Sequence, residues 1–262
     1  MRHSATELLL RAPDAQGKPQ VLMQRESAST RSGEDRWALP GRARRSDEKP
    51  VDTAVRVAEQ LGVDPRSMRV RGGRGADGSS HATVIADVSQ PCATQPTGHG
   101  RELAWVPEPE VGTLDLDPAL MAGWPALQAP ETGLLVDAAN VVGSRPDGWW
   151  RDRAGAATRL LGEIAAAGPS VFAVGDGRFQ WVTRPVVVLE GAAKRAPDVA
   201  GVEVVRAPGS GDDTIVDIAH RGGDWVVVTA DRGLRARLPF SARPVGPSTL
   251  RSWISPPSLN AQ

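Results

Sequence analysis

The sequence has a single cysteine, Cys92, and no tyrosine at all. One thiol can form neither an intramolecular disulfide nor a cysteine-based zinc site. Excess charge is missing too. The 31 Lys and Arg residues balance 31 Asp and Glu, so net charge gives no reason to expect a general nucleic-acid binder. Long apolar runs are also absent. Near the start there is only Leu8-Leu9-Leu10, too short for the hydrophobic region of a secretory signal. No segment approaches the roughly 20 apolar residues that a membrane helix needs. The expectation is a cytoplasmic protein with no membrane partner.

What is present points to two domains. A chain of 262 residues is long for one domain and comfortable for two, at about 100–200 residues per domain. Proline and polar residues cluster at Gln128–Thr132 and periodicity is lost there, which marks a linker. The expected boundaries are 1–130 and 131–262.

The first half reads as short strands joined by long turns. Glu7–Leu10 and Gln20–Gln24 flank a turn-rich stretch, and a polar loop covers 27–36. Trp37-Ala38-Leu39-Pro40-Gly41 follows, then a basic loop with Arg42, Arg44 and Arg45. Asp52–Leu61 reads as a helix. Ala54, Val57, Ala58 and Leu61 recur at helical spacing, Asp52 suits the N-cap, and Gly62 suits the stop. His81–Val88 and Leu103–Val106 read as strands.

The second half alternates strand and helix, which argues for a parallel sheet with helices on its faces. Strands are expected at Gly133–Val136, Val186–Leu189, Val202–Val205 and Val226–Thr229. Helices are expected at Asp152–Ala167, Asp212–His220 and around Leu234–Leu238. Phe172–Val174 is either another strand or part of an inserted loop. Three of the strand patterns end in an acid: Asp137, Glu190 and Asp231. Ligands of parallel sheets bind beyond the carboxyl ends of the strands, so these acids face a cleft. Asp212 and Asp213 open a helix, where the dipole alone favours them. A carboxylate set without His or Cys suits a hard ion, Mg²⁺ or Mn²⁺.

Two family resemblances follow from these motifs. WALPG, a loop and a Gly-ended helix resemble the Nudix hydrolase box, with Gly41, Gly62, Val57 and Val63 in register. GRELAWVPEPEV and LDLDPALMAGWPALQ extend the likeness over about residues 5–128. It implies an α/β/α sandwich of α+β character with a mixed sheet, and Mg²⁺ held by helix glutamates. Here those positions carry Arg56 and Gln60, with Val55 for the family's arginine and Asp47 for its loop glutamate, and only Glu59 is kept. Loss of hydrolysis in this half is the expectation.

DAANVVG, VVLEG, GSGDDTIVDIA and VVVTADRGLRARL resemble the PIN-like superfamily, nearest its NYN (YacP-like) branch, over about residues 132–254. That resemblance implies an α/β/α domain with a parallel sheet and metal-dependent endoribonuclease activity. Asp137, Asp212, Asp213 and Asp231 would be catalytic metal ligands, joined by Glu190. Asn140, Thr229 and Arg232 would serve the substrate. Arg145, Arg151, Arg153 and Arg235 lie within phosphate reach, and Trp149-Trp150 offers either base stacking or packing. The first half would then dock substrate or join copies of the chain. Two other readings stay open: a Nudix pyrophosphohydrolase acting on nucleoside triphosphates or diphosphates, and a non-enzymatic regulator that binds nucleotide or RNA.

Overall fold

A computed structural model describes residues 4–26, 35–75, 81–96 and 100–255. Most of the polar loop expected at 27–36 lies outside the described residues. The chain divides into two compact units. One holds the chain up to Ala129 together with Ser170–Phe179; the other holds Pro130–Pro169 and Gln180–Ser255.

The first unit is built on a mixed sheet. Its strands are β1 (Ala5–Pro13), β2 (Pro19–Glu26), β3 (Trp37–Ala38), β4 (Gly41–Ala43), β5 (Arg69–Arg74), β6 (His81–Asp87) and β7 (Gly100–Pro107). The spatial order is β3-β2-β1-β6-β5, with β4 beside β1 and β7 beside β2. Among the described strands of this unit only the β1–β6 pairing is parallel; the others are antiparallel. Helix α1 (Pro50–Leu61) buries Ala54, Val57, Ala58 and Leu61 against Leu8, Leu10 and Ala12 of β1 and Val84 and Ala86 of β6. Fully burying a Val or Leu contributes about 1.5–3 kcal/mol, enough to seat the helix. Gly62 closes it in the left-handed region (φ 84°), where its N–H reaches the Ala58 and Glu59 carbonyls. The start differs from expectation. Asp52 is not the cap; Lys49 holds that position without its side chain capping the helix, and Pro50 opens it. Proline suits that place because its missing N–H would have no helical partner.

Alternate residues of β1 point to the other face of the sheet, and Leu9 and Arg11 are fully buried there. Arg11 is met by Glu108 of α2 (Glu108–Val111) in a two-pronged ion pair, both N–H···O distances 2.7 Å. The same guanidinium donates to the carbonyl of Leu127, the last residue of α3 (Pro118–Leu127). Glu108 also accepts the Ala129 N–H at 2.6 Å. This knot ties the first strand to the last turn of the unit's main segment.

The second unit is a parallel sheet. Strand β8 (Glu131–Asp137) runs into α4 (Ala138–Gly143), and α5 (Arg153–Ala167) follows, capped by Asp152. The next strand, β9 (Ser170–Gly175), belongs to the first unit. Asp176 and Gly177, both at positive φ, turn the chain into β10 (Arg178–Leu189). Phe172–Val174 is therefore strand. Phe179 packs on Gly72 of β5, and the Gly177 carbonyl accepts from Arg74 at 2.7 Å.

Strand β11 (Glu203–Arg206), α6 (Gly211–His220), β12 (Trp225–Val228) and α7 (Arg232–Ala236) complete the expected elements. β13 (Ala242–Val245) and α8 (Pro247–Ile254) add to them. The order is β11-β10-β8-β12-β13, and every pairing along it is parallel. Asp137, Glu190 and Asp231 thus all lie at or just past the carboxyl ends of adjacent strands.

One position in β8 constrains the sheet sterically. Gly133 sits opposite Trp225, and a Cβ there would press into the indole, which is 3% exposed and has the Arg184 guanidinium 4.5 Å from its ring centre. Gly133→Ala is expected to lower stability by about 1–3 kcal/mol, as overpacking does. At a roomy site the same change adds about 0.4–1 kcal/mol. Urea unfolding of the two chains gives the sign directly.

Candidate functional site

The sequence singled out two places, one of them expected to have lost its chemistry. In the first unit, the face of α1 that corresponds to the Nudix box is closed by an ion pair. Arg56 donates to Glu48 through Nη2 at 2.7 Å and Nε at 3.1 Å, and to the Ala43 carbonyl at 3.1 Å. Both side chains are largely buried, 18% and 12% exposed. Glu59 and Asp47 are exposed, and Asp47 sits in the left-handed region at φ 63°.

In the second unit, strand ends interlock. Asp137 is 7% exposed. Its Oδ1 accepts the Asn140 N–H at 3.0 Å, and its Oδ2 accepts the Thr229 hydroxyl at 2.9 Å. That hydroxyl, fully buried, in turn accepts the Asp231 N–H at 3.1 Å. Asn140 Oδ1 takes the Ala230 N–H at 2.8 Å, so the ends of β8 and β12 are sewn together by side chains. Asp231 caps α7 through the Leu234 N–H, and Arg235 Nε donates to the Thr229 carbonyl. From the next strand end, Glu190 Oε2 accepts the Gly211 N–H at 2.9 Å, anchoring the start of α6.

The carboxylates feel one another. Burial pushes the Asp137 carboxyl up, and Asp212 and Glu190 push it further against the pull of its hydrogen bonds. Asp212 is raised by burial, then by Asp231 and Glu190. Asp213 turns aside to an exposed pair with Arg237 at 2.6 Å, and Arg232 is exposed on α7. Asp217 is exposed on α6, and Asp176 lies in the β9–β10 turn beside Arg178. The structure therefore brings together Asp137, Asn140, Thr229, Asp231, Asp212 and Glu190, and leaves Asp213 and Arg232 outward.

No family model matches the chain. Individual relatives do. A Mycobacterium tuberculosis protein provisionally named 8-oxo-dGTP diphosphatase 3, from either of two strains, is 39% identical over 141 residues, half of this chain. This chain spans 64% of the length of those curated relatives. The crystal structure of RenU, a Nudix hydrolase from M. smegmatis, is 39% identical and matches 48% of this chain and 83% of its own, with a TM-score of 0.44. About half of this chain is a Nudix hydrolase domain. A C. elegans Ap4A hydrolase, 14% identical, covers 47% of this chain and 93% of its own at a TM-score of 0.38. Of the readings of function taken from the sequence, the curated relatives speak for the Nudix hydrolase and are silent on a ribonuclease. No helix among the described residues is long and apolar enough to cross a membrane.

The box motif puts the Nudix domain in the first unit, and there its residues do not fit the metal that the family implies. A guanidinium fills the face of α1 where glutamate would bind, and its charge repels a cation. Glu48, the residue that sequence reasoning missed, is its counter-ion; the only signal was an acid eight positions before an out-of-place arginine. The pair has a pH signature. Its hydrogen bond to Arg56 holds Glu48 well below the usual range, at about 2. A carboxylate depressed on folding stabilises the folded state above its unfolded value near 4.5 and loses that contribution as pH falls towards 2. Between those limits, wild type is expected to lose melting temperature more steeply than Glu48→Gln, read by scanning calorimetry across the acid range.

The second unit offers a donor set of oxygens alone, the kind Mg²⁺ or Mn²⁺ accepts. Among the described residues no three acids stand close enough to grip an ion unaided. Magnesium commonly takes one or two carboxylates and fills its other positions with water and substrate phosphate; Asp212 lies near enough to Asp137 to push its carboxyl up.

Proposed function

We propose that the chain is a metal-dependent hydrolase of RNA phosphodiesters, of the PIN-like/NYN kind, with its chemistry in the second unit. The Nudix domain then docks nucleotide or RNA without cleaving it. The observation that carries this reading is the buried bridge from Thr229 Oγ1 to Asp137 Oδ2, which fixes a carboxylate at the end of one strand from its neighbour. An ionised Asp has about four acceptor sites, and two are used here, so Asp137 keeps capacity for a ligand.

In this reading Asp137 and Asp212 are the metal ligands, with Asp231 and Glu190 as charged neighbours; Asp213, expected from the sequence to join them, is instead paired outward with Arg237. Asn140 and Thr229 hold the strand ends in register and orient substrate, and Arg232 meets a phosphate. The bound ion would supply a water of lowered pKa and charge stabilisation at the phosphoryl group. The test uses the full chain and labelled single-stranded RNA with Mn²⁺, Mg²⁺ or EDTA. Cleavage only with metal is the expected result, and uncut RNA in every tube would end the reading.

A second reading is favoured by one observation, the 39% identity to relatives named for 8-oxo-dGTP hydrolysis. On it, the Nudix domain acts on nucleoside triphosphates or diphosphates through Glu59. Arg56 and Gln60 stand against it, because they leave one box carboxylate of the helix. Phosphate or pyrophosphate release from 8-oxo-dGTP and a nucleotide panel measures it. No release, or release unchanged by Glu59→Gln, would exclude Glu59 chemistry.

A further inference from the structure

We propose that a small cavity beside the strand-end acids is a socket for one nucleobase. The proposal rests on the phosphodiesterase reading above and names what its substrate presents. The cavity holds about 140 Å³ and is bounded by Ala138, Val142, Trp149, Arg153, Ala157 and Glu190. Pockets that take whole drug-sized ligands run to roughly 300–1,000 Å³, so this one admits a single ring system.

Its chemistry selects the ring. Alanines and a valine give a flat, small-residue lining. Trp149, half-buried, supplies an aromatic wall. The ring is set by Trp150, edge-on at 6.1 Å and 82°, and by the Arg153 guanidinium 5.4 Å from its centre. Base–aromatic stacking tolerates any base, because every base has a π face. At the rim, Glu190 uses Oε2 on Gly211, and Oε1 makes no hydrogen bond among the described residues. A carboxylate accepts only, so it favours a ring with N–H donors on its edge, as nucleobases have. Arg153 matches the phosphate that such a base carries.

Placement supports the same occupant. Ala138 directly follows Asp137, and Glu190 belongs to both the socket and the acid group. A base seated here keeps its own phosphates beside the carboxylates. Phe240, fully exposed and outside the cavity lining, is the internal control.

The experiment measures binding without turnover: fluorescence polarisation of a fluorescein-tagged single-stranded oligoribonucleotide in EDTA. Trp149→Leu is expected to weaken binding about tenfold, within the roughly 5- to 150-fold that one stacked base is worth. Ala193→Leu, which fills the socket from its half-buried rim and leaves Trp149 in place, is expected to do the same. Phe240→Ala is expected to bind as wild type does. Circular dichroism checks that each variant folds. An abasic strand should bind weakly and ignore Trp149→Leu. Equal binding of intact RNA by wild type, Trp149→Leu and Ala193→Leu would overturn the socket, as would wild type binding the abasic strand equally well or binding no RNA. The two proposals fail separately. Uncut RNA with Trp149-dependent binding removes the phosphodiesterase reading and keeps the socket; cleavage with binding indifferent to Trp149 does the reverse.

Discussion

Glu108→Gln is expected to destabilise the Nudix domain by about 3–5 kcal/mol, the cost of leaving a buried charge without its partner. Arg11 is fully buried, and Glu108 supplies its only counter-charge among the described residues. A glutamine keeps the shape but can face the two guanidinium donors with one oxygen only. It also weakens the bond that the carboxylate takes from the Ala129 N–H. A domain of this size should lose more than about 10 °C in melting temperature. Hydrogen exchange on peptides from β1 and β6 would localise the loss. Arg11→Met combined with Glu108→Leu should recover much of it, because an apolar pair carries no stranded charge. Arg25→Ala is the control. Its contact with Glu102 is 3.8 Å long and both side chains are about half exposed, so the change should stay within about 0.5 kcal/mol. A Glu108→Gln chain as stable as wild type would mean that the knot does not hold the unit.

Asp137→Asn is expected to abolish metal-dependent RNA cleavage, by at least about 10²–10³-fold, while moving stability by less than about 1 kcal/mol. The asymmetry follows from the contacts. Asparagine can still accept the Asn140 N–H through its oxygen, and its amide can donate to the Thr229 hydroxyl, which then turns its proton elsewhere. Shape and hydrogen bonds survive; the negative charge does not. Because Asp137 already carries a burial penalty for that charge, removing it should cost the fold little. Thr229→Val is the companion. It keeps the carboxylate and removes the bridge, so it should leave metal binding weakened and both strand ends looser. Manganese affinity by calorimetry, activity and urea midpoint separate the outcomes. Wild-type cleavage by Asp137→Asn would remove this residue from the chemistry.

The parallel order of the second unit was legible because β-branched runs of three or four residues recur, each with an acid at its end. Val186–Leu189 and Val226–Val228 are almost wholly buried, and such strands advertise themselves. β13 and α8 were not, because Ala242–Val245 is a short proline-containing stretch and Pro247–Ile254 has few apolar positions to set a period. At the site, the strand-end acids could be read singly. What could not be read was how each is spent. Asp231 caps a helix, Glu190 holds Gly211, and Asp213 pairs with an arginine that lies 24 positions on. Those partners depend on tertiary placement, not on local pattern. The same holds for Arg56: the sequence marks the lost glutamate, and only the fold supplies Glu48 opposite it.

The β9 hairpin has a bearing on how this chain is made. Ser170–Phe179 belongs to the first unit although it is encoded some 40 residues after that unit's main segment ends. A ribosome emits about 5–20 residues each second and domains close as their parts emerge. The first unit therefore lacks its hairpin until residue 179 is free, with Arg74 missing its bond to Gly177 and Gly72 its contact with Phe179. By then β8 and α5 of the second unit have already appeared. The two halves are obliged to mature on overlapping schedules, and a gene cut at residue 130 would hand each half the wrong inheritance.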